Sequence, residues 1–107
     1  MDVLAALLAA LGHDIDHPGA NNMYFQKTNH LMAQTSNDVS ILENYHSYML
    51  FKLLSKPEND IMGNMSDAQK QRLRKALIET IMGTDMTKHF NLCTAFEAVI
   101  AKIKGGT

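Results

Sequence analysis

The chain has 107 residues, enough for one small domain with a modest core. At 46% hydrophobic with two prolines, it is neither disordered nor low-complexity. Ten basic residues against eleven acidic ones leave a net charge of −1, so nothing calls for a nucleic-acid partner or an anionic membrane surface. A single cysteine, Cys93, excludes an internal disulfide and a cysteine-only metal cage, and suits a cytoplasmic setting.

Val3 to Leu11 is a continuous apolar run. Its start carries Asp2 and no basic residue, and the run is too short to cross a bilayer, so it reads as neither a signal peptide nor a membrane segment. It predicts a helix over 3–12 that is apolar all round and buried inside a larger protein. A chain beginning on such a helix is expected to be a piece of a longer one. Pro18-Gly19 then forces a loop. Short helices are expected over 22–26 and 30–35. Ser40-Ile41-Leu42-Glu43 fits a capping box, opening a helix that carries Leu42, Tyr45, Met49, Leu50, Leu53 and Leu54 at helical spacing up to Pro57. Ser66 and Gln69 form another box, with Leu73, Ala76, Leu77, Thr80 and Ile81 as the buried stripe and Gly83 as the stop. A last helix from about Met86 carries Leu92, Phe96, Val99, Ile100 and Ile103 and ends at Gly105-Gly106. The fold class is all-α, a compact multi-helix array.

Chemistry concentrates in His13-Asp14-Ile15-Asp16-His17-Pro18-Gly19-Ala20-Asn21-Asn22. Four metal-capable side chains fall within five residues, where a buried helix gives way to a loop. Imidazole with carboxylate suits Zn²⁺ or another transition ion, and carboxylate with water suits Mg²⁺ or Mn²⁺. The competing reading is helix capping and solvated polar groups, since cations favour helix C-termini. Burying so many unpaired polar groups after an apolar run tips the balance towards a metal site.

The string resembles the metal-binding signature H-D-x-x-H-x-x-x-x-N of the class I 3′,5′-cyclic nucleotide phosphodiesterases, with His13, Asp14, His17 and Asn22 on the motif positions. Ser36 to His46 resembles that family's Y-N-D-x-S-V-L-E-N-H-H block, and Gly83 to Phe90 its A-T-D-M-x-x-H block. Order and spacing are those of the cAMP-specific class. The resemblance implies that residues 1–107 are the central portion of a larger helical catalytic domain of the HD type, with upstream and downstream portions absent. It implies metal-dependent hydrolysis of cAMP or cGMP to the 5′-monophosphate, with two divalent ions: Zn²⁺ in the tight site and Mg²⁺ or Mn²⁺ in the other. His13 and Asp14 would be metal ligands, Asp14 bridging both ions and facing substrate. A bridging hydroxide would attack phosphorus in line. His17 would hydrogen-bond metal-bound water, Glu43 would accept from the waters of the second ion, and His46 would orient them. Thr84 would reach a water on the second ion, and Met86 would line the nucleotide pocket. Asn22 is expected to tie down the loop, and His30 and His89 to be surface or helix-terminal residues without a metal role.

From the residues alone, Glu43 reads as the carboxylate of a capping box and Thr84 or Asp85 as a helix cap. Ser36, Tyr45 and Gly83 depart from the family pattern, where Tyr, His and Ala are usual. The upstream H-N-x-x-H-A block, a further metal Asp, and the glutamine and phenylalanine that hold the base have no counterpart in the 107 residues. The isolated chain is therefore expected to be inactive. Alternatives are another HD-type metal phosphohydrolase, or a short, catalytically dead helical protein that binds partners. The sequence assigns no oligomeric state.

Overall fold

A computed structural model describes residues 2–106, and among them there are helices and turns but no strand. The helices are α1 (Asp2–Gly12), α2 (Asn22–Lys27), α3 (Leu31–Thr35), α4 (Ile41–Leu54), α5 (Asp67–Met82) and α6 (His89–Gly105). Short 3₁₀ turns, Pro57–Asn59 and Met86–Lys88, precede α5 and α6. Among the described residues no helix is long and apolar enough to cross a membrane.

Helices α1, α4 and α5 form the main core. Ala5 and Ala9 of α1 meet Leu50 and Leu54 of α4 and Leu73, Leu77 and Ile81 of α5, with Leu4, Leu8 and Phe51 packed around them. Small residues on α1 let it lie close. At its end, a Cβ added to Gly12 would come within 3.0 Å of the Leu50 side chain, so glycine sets the approach of α1 to α4. A second cluster joins Phe25 of α2, Ala33 of α3, and Ile41 and Leu42 from the first turn of α4. Helix α4 thus belongs to both clusters, and the stretch between them is left for other work.

Helix α5 begins as the sequence predicts. Ser66 Oγ accepts from the Gln69 amide (3.2 Å) and Gln69 Oε1 accepts from the Ser66 amide (2.9 Å), a complete capping box. Its buried stripe narrows to Leu73, Leu77 and Ile81, with Thr80 exposed and its hydroxyl bonded to the Ala76 carbonyl.

One expectation is corrected. Ser40 forms no capping box: at φ 46° it is left-handed and its hydroxyl turns away from the helix to donate to Asp85 Oδ2 (2.6 Å). The free Leu42 amide is capped instead by Asn22 Oδ1 (2.9 Å) from α2. Among the described residues Val3, Leu7 and Leu11 of α1 face outward, left uncovered by the other helices. Among the described residues helix α6 packs on no other helix and meets only the 3₁₀ turn before it, so Leu92, Phe96, Val99 and Ile103 are exposed. This protrusion raises the radius of gyration to 16.7 Å, against ~13 Å for a compact chain of this length.

Candidate functional site

His13, Asp14, His17, Glu43, His46 and Thr84 surround one cavity of about 290 Å³, with Leu42 as its apolar wall. Each comes from a different circumstance of the chain. Helix α1 ends at Gly12 and delivers His13 and Asp14 to its C-terminal edge. The chain then reverses through Asp16, a left-handed residue at φ 55°, which brings His17 back to the same side. Gly19, at φ 88°, completes the turn after Pro18. On α4, Glu43 and His46 lie three residues apart and share a face with Ser47, Leu50 and Leu54, all buried. Thr84 follows the end of α5.

Hydrogen bonds fix the three imidazoles. The Ala10 carbonyl accepts from His13 Nδ1 (2.8 Å) and the Ile15 carbonyl from His46 Nδ1 (2.7 Å). A carbonyl can only accept, so each of these rings carries a proton on Nδ1, and in its neutral form each keeps the lone pair of Nε2 free. Both lone pairs lie towards Asp14. His13 Nε2 stands 3.2 Å from Oδ2, and His46 Nε2 stands 4.0 Å from Oδ1. With neutral rings these acceptors converge, and a cation among them would satisfy all three. The donor set therefore suits a divalent metal of the borderline type, which takes imidazole and carboxylate together.

His17 has the opposite tautomer. Its Nδ1 accepts the Gly19 amide hydrogen (2.9 Å), which leaves the ring proton on Nε2. Asp14, His17 and His46 bring one ligand atom each within 4.8 Å of one another. The tautomer nevertheless makes His17 Nε2 a donor, suited to an anionic or water oxygen rather than to a metal. Its ring lies 5.5 Å from that of His46.

Glu43 is held from the side. Asn22 Nδ2 donates to both carboxylate oxygens (3.2 and 3.4 Å), while the same side chain caps Leu42. One asparagine thus fixes the start of α4 and aims Glu43 into the cavity. Thr84 donates its hydroxyl hydrogen to the Ile81 carbonyl (2.6 Å), so its lone pairs are what it offers to the cavity. Met86 is not brought to the cavity: it opens the 3₁₀ turn two residues on, and its side chain is exposed. His30 caps α3 by accepting from the Met32 amide, and His89 opens α6, so neither joins the site.

Two ties escape a reading of the sequence. Asp85 is buried, accepting from Ser40 Oγ and from the amide and hydroxyl of Thr87 (2.9 Å each), which locks the turn carrying Thr84 to the start of α4. Burial pushes its carboxyl up, but these hydrogen bonds and the Lys88 charge outweigh it and leave the pKa below the ordinary value. Tyr45 donates its phenol hydrogen to Asp16, and that bond raises the phenol's pKa.

Known proteins resemble the chain over nearly its whole length. Residues 1–105 match the family described as 3′5′-cyclic nucleotide phosphodiesterase. The 3′,5′-cyclic-AMP phosphodiesterase 4C of Rattus norvegicus is 41% identical over 94% of this chain, which spans 19% of that protein. The 3′,5′-cyclic-AMP phosphodiesterase 4 of Dictyostelium discoideum is 37% identical over 92% of this chain, which spans 10% of it. The crystal structure of the phosphodiesterase domain of the RhoPDE fusion protein from the choanoflagellate Salpingoeca rosetta superposes with a TM-score of 0.88 at 36% identity, covering 92% of this chain and 31% of that one.

Proposed function

The chain belongs to the 3′5′-cyclic nucleotide phosphodiesterase family, and on that premise we propose that it carries part of a metal-dependent site that hydrolyses 3′,5′-cyclic nucleotides. The observation that carries this reading is the Asp14 carboxylate, flanked by the free Nε2 atoms of His13 and His46 at the edge of the cavity. His13 and Asp14 would hold the tightly bound ion, Zn²⁺, with Asp14 shared by a second, Mg²⁺ or Mn²⁺. When bound, such ions supply an activated water near neutral pH and positive charge for the phosphoryl oxygens. His13 and Asp14 are two protein ligands, against the three or four usual for zinc, so the other ligands would come from other residues of a longer polypeptide.

The chain's own residues then divide the work. His17 donates from Nε2 to an oxygen in the cavity. Glu43, steadied by Asn22, accepts hydrogens of water, and Thr84 accepts another through its lone pairs. His46 holds its place through the Ile15 carbonyl and orients the group at Asp14. At about 290 Å³ the cavity lies at the lower bound of ligand pockets, room for ions, waters and a phosphate rather than a whole nucleotide. The base would lie outside it, where Met86 offers an apolar surface. The names of the rat and Dictyostelium relatives favour cAMP as substrate. A cytoplasmic setting completes the reading and is supported by cysteine usage alone.

The test is hydrolysis of cAMP and cGMP by the full-length protein carrying these residues, with and without chelator. Turnover abolished by chelator, and reduced about a hundredfold or more by Asp14→Asn, is expected. Chelator-insensitive turnover, or full activity in Asp14→Asn, would sink the reading.

A further inference from the structure

We infer that Tyr45, through its hydrogen bond to Asp16, is a positioning residue that holds the 13–17 segment in the shape that metal binding needs. The inference rests on the proposed metal site and extends it to a pair outside the ligand set.

Three observations carry it. Asp14 and His17 can face His46 together only because the chain reverses between them, and the residue that makes the reversal is Asp16, at φ 55°. A left-handed non-glycine residue is uncommon, and persists most readily where surrounding contacts hold it. The contact that meets Asp16 is the Tyr45 phenol, which donates to its carboxylate from α4, 29 residues away. That bond is charge-assisted and therefore of the stronger kind. Tyr45 is also the sequence neighbour of His46, and the two rings lie 6.1 Å apart. One turn of α4 thus grips the segment twice, through His46 on the Ile15 carbonyl and through Tyr45 on Asp16. Removing the phenol hydroxyl leaves the helix intact but releases the reversal on which the Asp14–His17 geometry depends.

The experiment uses the full-length protein with Tyr45→Phe, Asp16→Asn and the double variant. Mn²⁺ affinity is read from the electron paramagnetic resonance of the free ion, and backbone order parameters are read for residues 14–17. Each single variant is expected to bind Mn²⁺ about tenfold more weakly, and the double variant no more weakly than either single one. Order parameters at 15–17 fall from about 0.85 towards 0.6 in Tyr45→Phe. Unchanged order parameters overturn the inference. So does a changed order parameter with unchanged Mn²⁺ affinity, which would reduce the bond to a structural tie. If the unsubstituted protein binds no Mn²⁺, the proposed function fails separately, and the inference falls with the affinity it was to control.

Discussion

Asp85 touches nothing in the cavity, yet it fastens Thr84's turn to the residue that opens α4. Its carboxyl is more acidic folded than unfolded, so its contribution is complete above the ordinary value of 3.8 and disappears as pH falls through the folded value. Asp85→Asn is expected to be less stable than the parent near neutral pH, with the difference closing in acid. Urea denaturation from pH 2 to 7 checks this, and a gap independent of pH would refute the assignment. Ser47 behaves differently: its buried hydroxyl has no partner among the described residues. Ser47→Ala should therefore raise the unfolding free energy by about 1 kcal/mol, measured the same way. Neither role was legible in the sequence. A Ser four residues after Glu43 and an Asp after Thr84 look like ordinary helix polars and caps until the partners, distant in sequence, are known. His13, Asp14 and His17 were legible because their side chains crowd five consecutive positions, although the left-handed turn at Asp16 that brings them together was not.

At the scale of elements, α4 decides where the site sits. Its buried face reads Glu43, His46, Ser47, Leu50, Leu54: polar at the start, apolar at the end. The apolar end anchors the helix on α1 and α5, and the polar end lines the cavity. A search for apolar periodicity finds Leu42, Leu50 and Leu54 but also Leu53, which is exposed, and it passes over the inward-facing polar residues. The same limitation produced the capping box at Ser40. Ser and Glu at that spacing are the signature of one, and only the left-handed backbone and the pull of Asp85 defeat it. Packing at the other end is tight. Gly12→Ala pushes a methyl against Leu50 and should cost about 1–3 kcal/mol while moving His13 and Asp14 relative to His46. Thermal unfolding together with Mn²⁺ binding measures both effects, and unchanged values for each would show that α1 has room to spare.

For the whole molecule, stability and surface are unevenly distributed. Leu77 of α5, fully buried in the core shared with α1 and α4, should cost about 2–5 kcal/mol when cut to Ala. Phe96→Ser on α6 should change the chain's unfolding free energy by no more than about 0.5 kcal/mol, because α6 packs on no other helix. Denaturant titration of the two variants compares them directly, and a large loss from Phe96→Ser would mean that α6 folds back on the core. The outward faces of α1 and α6 were hidden from sequence reading, since an apolar stripe is the same whether or not a neighbour covers it. The ties that close the cavity add a dimension of time. Asn22 to Glu43 spans 21 residues, His46 to Ile15 spans 31, and Ser40 to Asp85 spans 45. Helical turns need no such closure, and each long loop must lose its freedom before its bond repays it. Refolding should therefore restore helical circular dichroism first and any metal affinity afterwards, so that during folding the molecule passes through a helical stage unable to hold the proposed ion.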